Sequence, residues 1–151
     1  MNLFACINLV SLTATKTVTK NIAGMSINYY FENGLAVFTA DGISPYEEFI
    51  SVFNCLSHDP SAATPLKIIF DTRHTDYAPP SNEIKSLIGH LGKNTIYLDS
   101  RWAIVAYRNS LQFGVGRMFG SLAESHGICS ETFSDIDVAR SWLLQPENKT
   151  V

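Results

Sequence analysis

Cysteine is scarce: Cys6, Cys55 and Cys129 are the only three in 151 residues, far apart, with no C-x-x-C pair and no histidine at metal-ligand spacing. No disulfide framework and no metal site is therefore indicated, and a reducing cytoplasm is the expected compartment. Charge is also thin. Asp, Glu, Lys and Arg make up 17% of the chain, the net charge is −3, and the eleven basic residues are scattered. Nucleic-acid binding needs clustered Lys and Arg to neutralise phosphates, so no nucleic-acid partner is expected. The opening "MNLFACINLVSLTATKTVTK" has an apolar start but no charged n-region, and no apolar run approaches a membrane span. Neither signal peptide nor integral membrane association is expected. A Walker lysine, a nucleophile elbow, an internal repeat and a low-complexity tract are missing as well.

What is present is apolar. Hydrophobic residues make up 46% of the chain, and a domain of this length buries roughly two thirds of its unfolded surface. We divide the sequence into an N-terminal extension (residues 1–24), one domain (25–146) and a C-terminal tail (147–151). Met25 stands directly before the first convincing strand, which leaves open whether Met1 or Met25 is the start.

"SINYYFE" and "LAVFTAD" are alternating runs joined by Asn33-Gly34, the two-residue signature of a hairpin. Ser44, Pro45 and Glu47 then have the spacing of a capping box, ahead of Tyr46, Phe49, Ile50, Phe53 and Leu56 at helical intervals. "LKIIF" and "RWAIVAY" read as strands buried on both faces. Ser81 opens the helix that follows the first, and Ser110 the helix that follows the second. Gly127 closes that third helix, "ICSETF" is a more polar edge strand, and "SDIDVARSWLL" is a final helix stopped by Pro146. The fold class is α/β: a mixed, mostly parallel five-stranded sheet made of a hairpin followed by repeated strand–helix units.

"FGVGRMFGSLAESHG" has the glycine density of a phosphate-binding loop, but Gly114, Gly116 and Gly120 fall inside the third helix rather than in the turn before it. Helical projection puts Leu111, Val115, Met118, Phe119, Leu122 and His126 on one stripe. Phe113, Gly116, Arg117, Gly120 and Glu124 fall on the other face. Two interior glycines beside Phe113 and Arg117 imply close approach by a neighbouring element, a subunit or a ligand.

Ligands of open α/β sheets collect at the carboxyl ends of the parallel strands. Asp71, Arg73, His74, Asp76, Tyr77 and Ser81 stand in one loop there, and Tyr107 and Arg108 end the next strand. Arg73 and Arg108 could hold an anion in bidentate fashion, and His74 beside Asp71 or Asp76 could serve as a general base. Ser81 could carry a phosphate at a helix N-terminus. Each residue also has an ordinary explanation as loop or cap, and no cofactor is expected.

The segments "IIFDTR", "RWAIVAY", "FGVGRMF" and "TFSDIDVARSWL", together with a Pro-Ser opened helix, resemble the SpoIIAA-like proteins. These are relatives of the STAS domain of anti-sigma factor antagonists and, at the level of fold, of CRAL-TRIO lipid-binding domains. The resemblance spans about residues 25–145 and implies a regulatory or ligand-binding module without established chemistry. Where phosphorylated STAS proteins carry an Asp-Ser-Ser-Gly type segment, this chain has "APPSNEI", which puts phosphorylation of Ser81 in doubt.

With strands in sequential order and every crossover of one hand, the helices gather on one face of the sheet, and the other face needs a cover. Residues 1–24, a second subunit in a homodimer, or an apolar ligand could supply it. The expectation is a dimeric module binding a small amphipathic or anionic molecule or a protein partner. An enzyme built on His74 and a lipid carrier are the alternatives.

Overall fold

Asn33 and Gly34 both take positive φ, 50° and 78°, the backbone of the turn that matches strand twist. They close a hairpin of β2 (Ile27–Glu32) and β3 (Leu35–Gly42) in which Glu32 pairs with Leu35. The computed structural model describes residues 19–20 and 26–146. Within it follow α1 (Tyr46–Ser57), β4 (Lys67–Thr75), α2 (Ser81–Gly92), β5 (Arg101–Val105), α3 (Leu111–Ala123), β6 (Cys129–Phe133) and α4 (Ile136–Leu144). The strands lie in sequence order; β3, β4, β5 and β6 are parallel, and β2 is antiparallel to β3.

The five expected strands are present. A further two-residue strand, β1 (Thr19–Lys20), pairs antiparallel with Tyr30 and Tyr29 of β2. The hairpin's first strand is thus not the sheet edge along that stretch, and residues 19–20 of the expected extension take part in the sheet. The rest of the proposed cover, residues 1–18 and 21–24, lies outside the described residues, as does the tail 147–151.

Strand alternation splits the apolar side chains between two layers. Tyr29, Phe38, Ile68, Phe70, Trp102 and Ile104 face α1, α2 and α3, where Phe53, Leu56, Ile88, Leu91 and Phe119 meet them. Phe53 packs on Trp102 with ring centroids 5.1 Å apart, and Trp102 on Phe119 at 5.2 Å. Leu35, Val37, Ile69, Ala103 and Val105 face the other way and meet Ala139 and Leu143 of α4. Three helices on one face and one on the other correct the expectation of a one-sided array. β6 is the last strand, so the helix after it makes no crossover to a further strand, and nothing ties it to the side of the others. Arg101 stacks on Trp142 at 4.2 Å, and Arg140 reaches Glu32 at 3.3 Å, fixing α4 at both margins. With α4 filling the second face, no subunit or ligand is required to cover it.

Two caps differ from expectation. Pro45 and Pro80 are the N-cap residues of α1 and α2, with no side-chain cap. Ser44 is buried instead in a cluster where Ser26 Oγ lies 2.6 Å from Ser44 Oγ and donates to Glu48 Oε2 at 2.6 Å. Proline's fixed φ prepares a helix start without an accepting side chain, which leaves the serines free for other contacts. Ser110 does cap α3, accepting from the Phe113 amide at 3.2 Å, and Gly127 ends the segment at φ 73°. Cys55 is disulfide-bonded, while Cys129 is free and exposed. The expectation that no disulfide framework is indicated is thereby corrected at Cys55, since wide spacing in sequence does not exclude a disulfide.

Candidate functional site

Strand β4 runs past Phe70, the expected end of "LKIIF", as far as Thr75, which pairs with Gly42 across a register shift between Thr39 and Asp41. Asp71, Arg73 and His74 are therefore strand residues, and strand alternation turns Asp71 and Arg73 to the face opposite Thr72.

Asp71 is 5% exposed. Arg73 Nε donates to its Oδ1 at 2.9 Å and Arg73 Nη2 to its Oδ2 at 2.8 Å, a bidentate pair closed by the Arg73 amide on Oδ1. Burial alone would raise the Asp71 pKa, but the Arg73 hydrogen bonds and charge outweigh it and hold the carboxyl below its ordinary value. The same pairing raises the Arg73 pKa. Arg73 is thereby neutralised rather than poised for an anion. His74 and Asp76 are exposed, so Asp71, engaged by Arg73 on both oxygens, does not orient His74 as a general base. Ser81 is exposed in the first turn of α2. Tyr107 is 56% exposed just after β5, and Arg108 lies 5.9 Å over the Phe113 ring.

Of the expected loop residues, Tyr77 lines a cleft. This cleft lies between the helices and the carboxyl ends of β3, β4 and β5, and has a volume of about 70 Å³. Phe49 and Phe53 of α1, Phe70 of β4, Trp102 and Ile104 of β5, Ile84 and Leu87 of α2, and Val115 and Phe119 of α3 form its walls. Its polar lining is Thr72, Thr75, Tyr77 and Gln112. Gln112 Nε2 donates to the Thr75 carbonyl at 3.2 Å and is 3.5 Å from the Tyr77 carbonyl, tying α3 to the loop after β4. The Tyr77 hydroxyl donates to Glu83 at 2.8 and 2.6 Å from the two carboxylate oxygens, and this bond raises the phenol pKa. The aromatic walls were legible only as core periodicity, since Phe49 and Phe53 have the spacing of any buried helix stripe. Thr72, Thr75 and Gln112 carried no signal, because their roles arise from where β4 ends.

The glycine face of α3 is occupied by the chain itself. A Cβ on Gly116 would lie 2.7 Å from Thr132 Oγ1, and one on Gly120 would lie 3.0 Å from the Ser130 carbonyl. The expected core stripe is correspondingly rotated: Leu111 is 78% exposed and His126 is exposed, while Gly116 and Ala123 are buried with Phe119. Arg117 remains exposed and Phe113 half-buried. The second-face contact of Gly116 and Gly120 is thus β6, a neighbouring element rather than a subunit.

Among solved structures the chain is similar to an uncharacterized protein of the DUF3478 family with a SpoIIAA-like fold from Shewanella loihica PV-4. The match has 16% identity and a TM-score of 0.52, and covers 88% of this chain and 99% of that one. The fold is SpoIIAA-like, as the sequence resemblance implied. No family model and no curated protein matches the chain. Among the described residues, no helix is long and apolar enough to cross a membrane.

Proposed function

We propose that this STAS-like module binds a small amphipathic molecule in the cleft between α1, α2 and α3, and performs no chemistry on it. The observation that carries the reading is the cleft itself: aromatic and aliphatic walls, a few polar groups at one end, and a position at the carboxyl ends of parallel strands. Its volume of about 70 Å³ is well below the roughly 300–1,000 Å³ of drug-sized ligand pockets. That favours a small or slender ligand over a bulk lipid cargo. The catalytic alternative loses support because Asp71 is committed to Arg73 and His74 faces solvent.

The neutral fluorophore N-phenyl-1-naphthylamine tests the reading. Saturable one-to-one binding is expected, and Val115→Trp, which fills the cleft from α3, should abolish it while far-UV circular dichroism is unchanged. Fluorescence that rises without saturation, or that Val115→Trp leaves untouched, would overturn the proposal.

A further inference from the structure

Beside the cleft lies a smaller chamber of about 20 Å³. Phe49, Tyr77, Pro79, Ile84 and Leu87 line both, so the two are neighbouring compartments of one space. The chamber adds Tyr46 and Glu83 to those shared walls, and Glu83 is the one charged side chain lining either compartment among the described residues.

The hydrogen-bond inventory of the cleft is one-sided. Thr72 donates to the Val105 carbonyl at 2.8 Å, Thr75 to the Gly42 carbonyl at 2.8 Å, and the Gln112 amide to the Thr75 carbonyl. These three donors are thus spent on the chain's own backbone. Arg73 is paired with Asp71, and Arg108 lies by Phe113. The charge at the chamber is negative: the Glu83 carboxylate, with the negative charge of Glu47 also within electrostatic reach of Tyr77. An anionic head group would be repelled by the Glu83 carboxylate, with the phenol hydroxyls of Tyr46 and Tyr77 as the side-chain donors of the chamber. A cation would find a carboxylate beside the rings of Tyr46, Phe49 and Tyr77, the combination that attracts ammonium groups through ring faces and charge together.

We propose that this chamber is an ammonium-binding subsite, and that the ligand of the cleft is a hydrophobic amine or quaternary ammonium with its apolar body toward Phe70 and Trp102. The inference rests on the cleft being a binding site. At about 20 Å³ the chamber holds one or two waters, so the head group enters as Tyr77 and Glu83 move apart, the Tyr77 ring remaining a wall of the widened chamber. That movement breaks the Tyr77–Glu83 bond and frees the carboxylate for the incoming cation.

Competition against N-phenyl-1-naphthylamine on the full chain, with octyltrimethylammonium, octanoate and 1-octanol at matched ionic strength, separates the two readings. Octyltrimethylammonium is expected to displace the dye at a concentration at least tenfold below octanoate. Glu83→Gln and, separately, Tyr46→Leu should remove most of that preference while leaving 1-octanol unchanged; the second variant keeps the test open if the first perturbs α2. Ammonium no better than 1-octanol, or octanoate the tightest of the three, would overturn the subsite and leave the cleft standing. Failure of the dye and all three competitors would overturn the cleft, and the subsite with it.

Discussion

Gly116 of α3 and Thr132 of β6 face each other with no room for a methyl group between them. A Cβ on Gly116 would meet Thr132 Oγ1 at 2.7 Å, Thr132 Cγ2 at 3.0 Å and Ile104 Cγ2 at 3.0 Å. Threonine is stiff at χ1, so it cannot turn aside cheaply, and glycine's poor helix propensity is the cost of seating the helix this close to the strand. Gly114, two residues earlier, is exposed and has nothing within 4 Å of its Cβ position.

The two glycines therefore respond in opposite directions to the same change. Gly114→Ala should stabilise by up to about 1 kcal/mol through helix propensity alone. Gly116→Ala should destabilise by about 1–2 kcal/mol, overpacking outweighing the same gain. Thermal melts of the two variants are expected to fall on either side of the parent.

Asp71 gives the fold a pH dependence of predictable sign. Its pKa is lowered in the folded state by Arg73, so the stabilisation is fully present above the unfolded value near 3.9 and is lost as pH falls through the folded value. Asp71→Asn should cost about 1–3 kcal/mol at neutral pH by leaving Arg73 without its charged partner. Denaturant titrations from pH 7 down to pH 2 should show the parent's advantage over Asp71→Asn shrinking below about pH 4. A constant difference across that range would mean that the pair contributes only packing.

Serine at a helix start has two different meanings here. Ser110 accepts from the Phe113 amide, and Ser110→Ala should lose about 1 kcal/mol. Ser81 is exposed and follows a proline N-cap, so Ser81→Ala should stay within about 0.5 kcal/mol. Chemical denaturation of both variants checks the pair.

Much of the architecture is legible in the residues because it is locally encoded. Asn33-Gly34 dictates its turn, the mostly apolar runs at Leu66–Phe70 and Arg101–Tyr107 dictate strands covered on both sides, and helical spacing in α1 marks its buried stripe. What escapes is set by neighbours distant in sequence. The pairing of Thr75 with Gly42 extends β4 through residues whose composition reads as loop. That extension moves Asp71 and Arg73 onto the face of α4, away from Tyr77. Pro80 usurps the cap assigned to Ser81 without any change in pattern. The candidate site fares worse than the fold for the same reason: of the loop residues singled out, Tyr77 reaches the cleft, whereas Thr72, Thr75 and Gln112 are placed there by the strand's end and the helix's seat.

The position of α4 carries the largest structural consequence and the last prediction. Leu143 is fully buried against Val37, Ile69 and Val105, the side chains that would otherwise leave the second sheet face open. Leu143→Ala should destabilise by about 2–5 kcal/mol, from lost transfer energy and the cavity left behind. Arg101→Ala removes the cation–π contact with Trp142 and should cost about 0.5–1 kcal/mol by comparison. If α4 is the cover this face requires, Leu143→Ala should also increase association at high protein concentration, as measured by light scattering, because apolar strand surface becomes available to a second copy. A variant that loses stability yet stays in the parent's association state would show that the remaining contacts of α4, through Ala139, Ile136 and Trp142, are enough to keep the face closed.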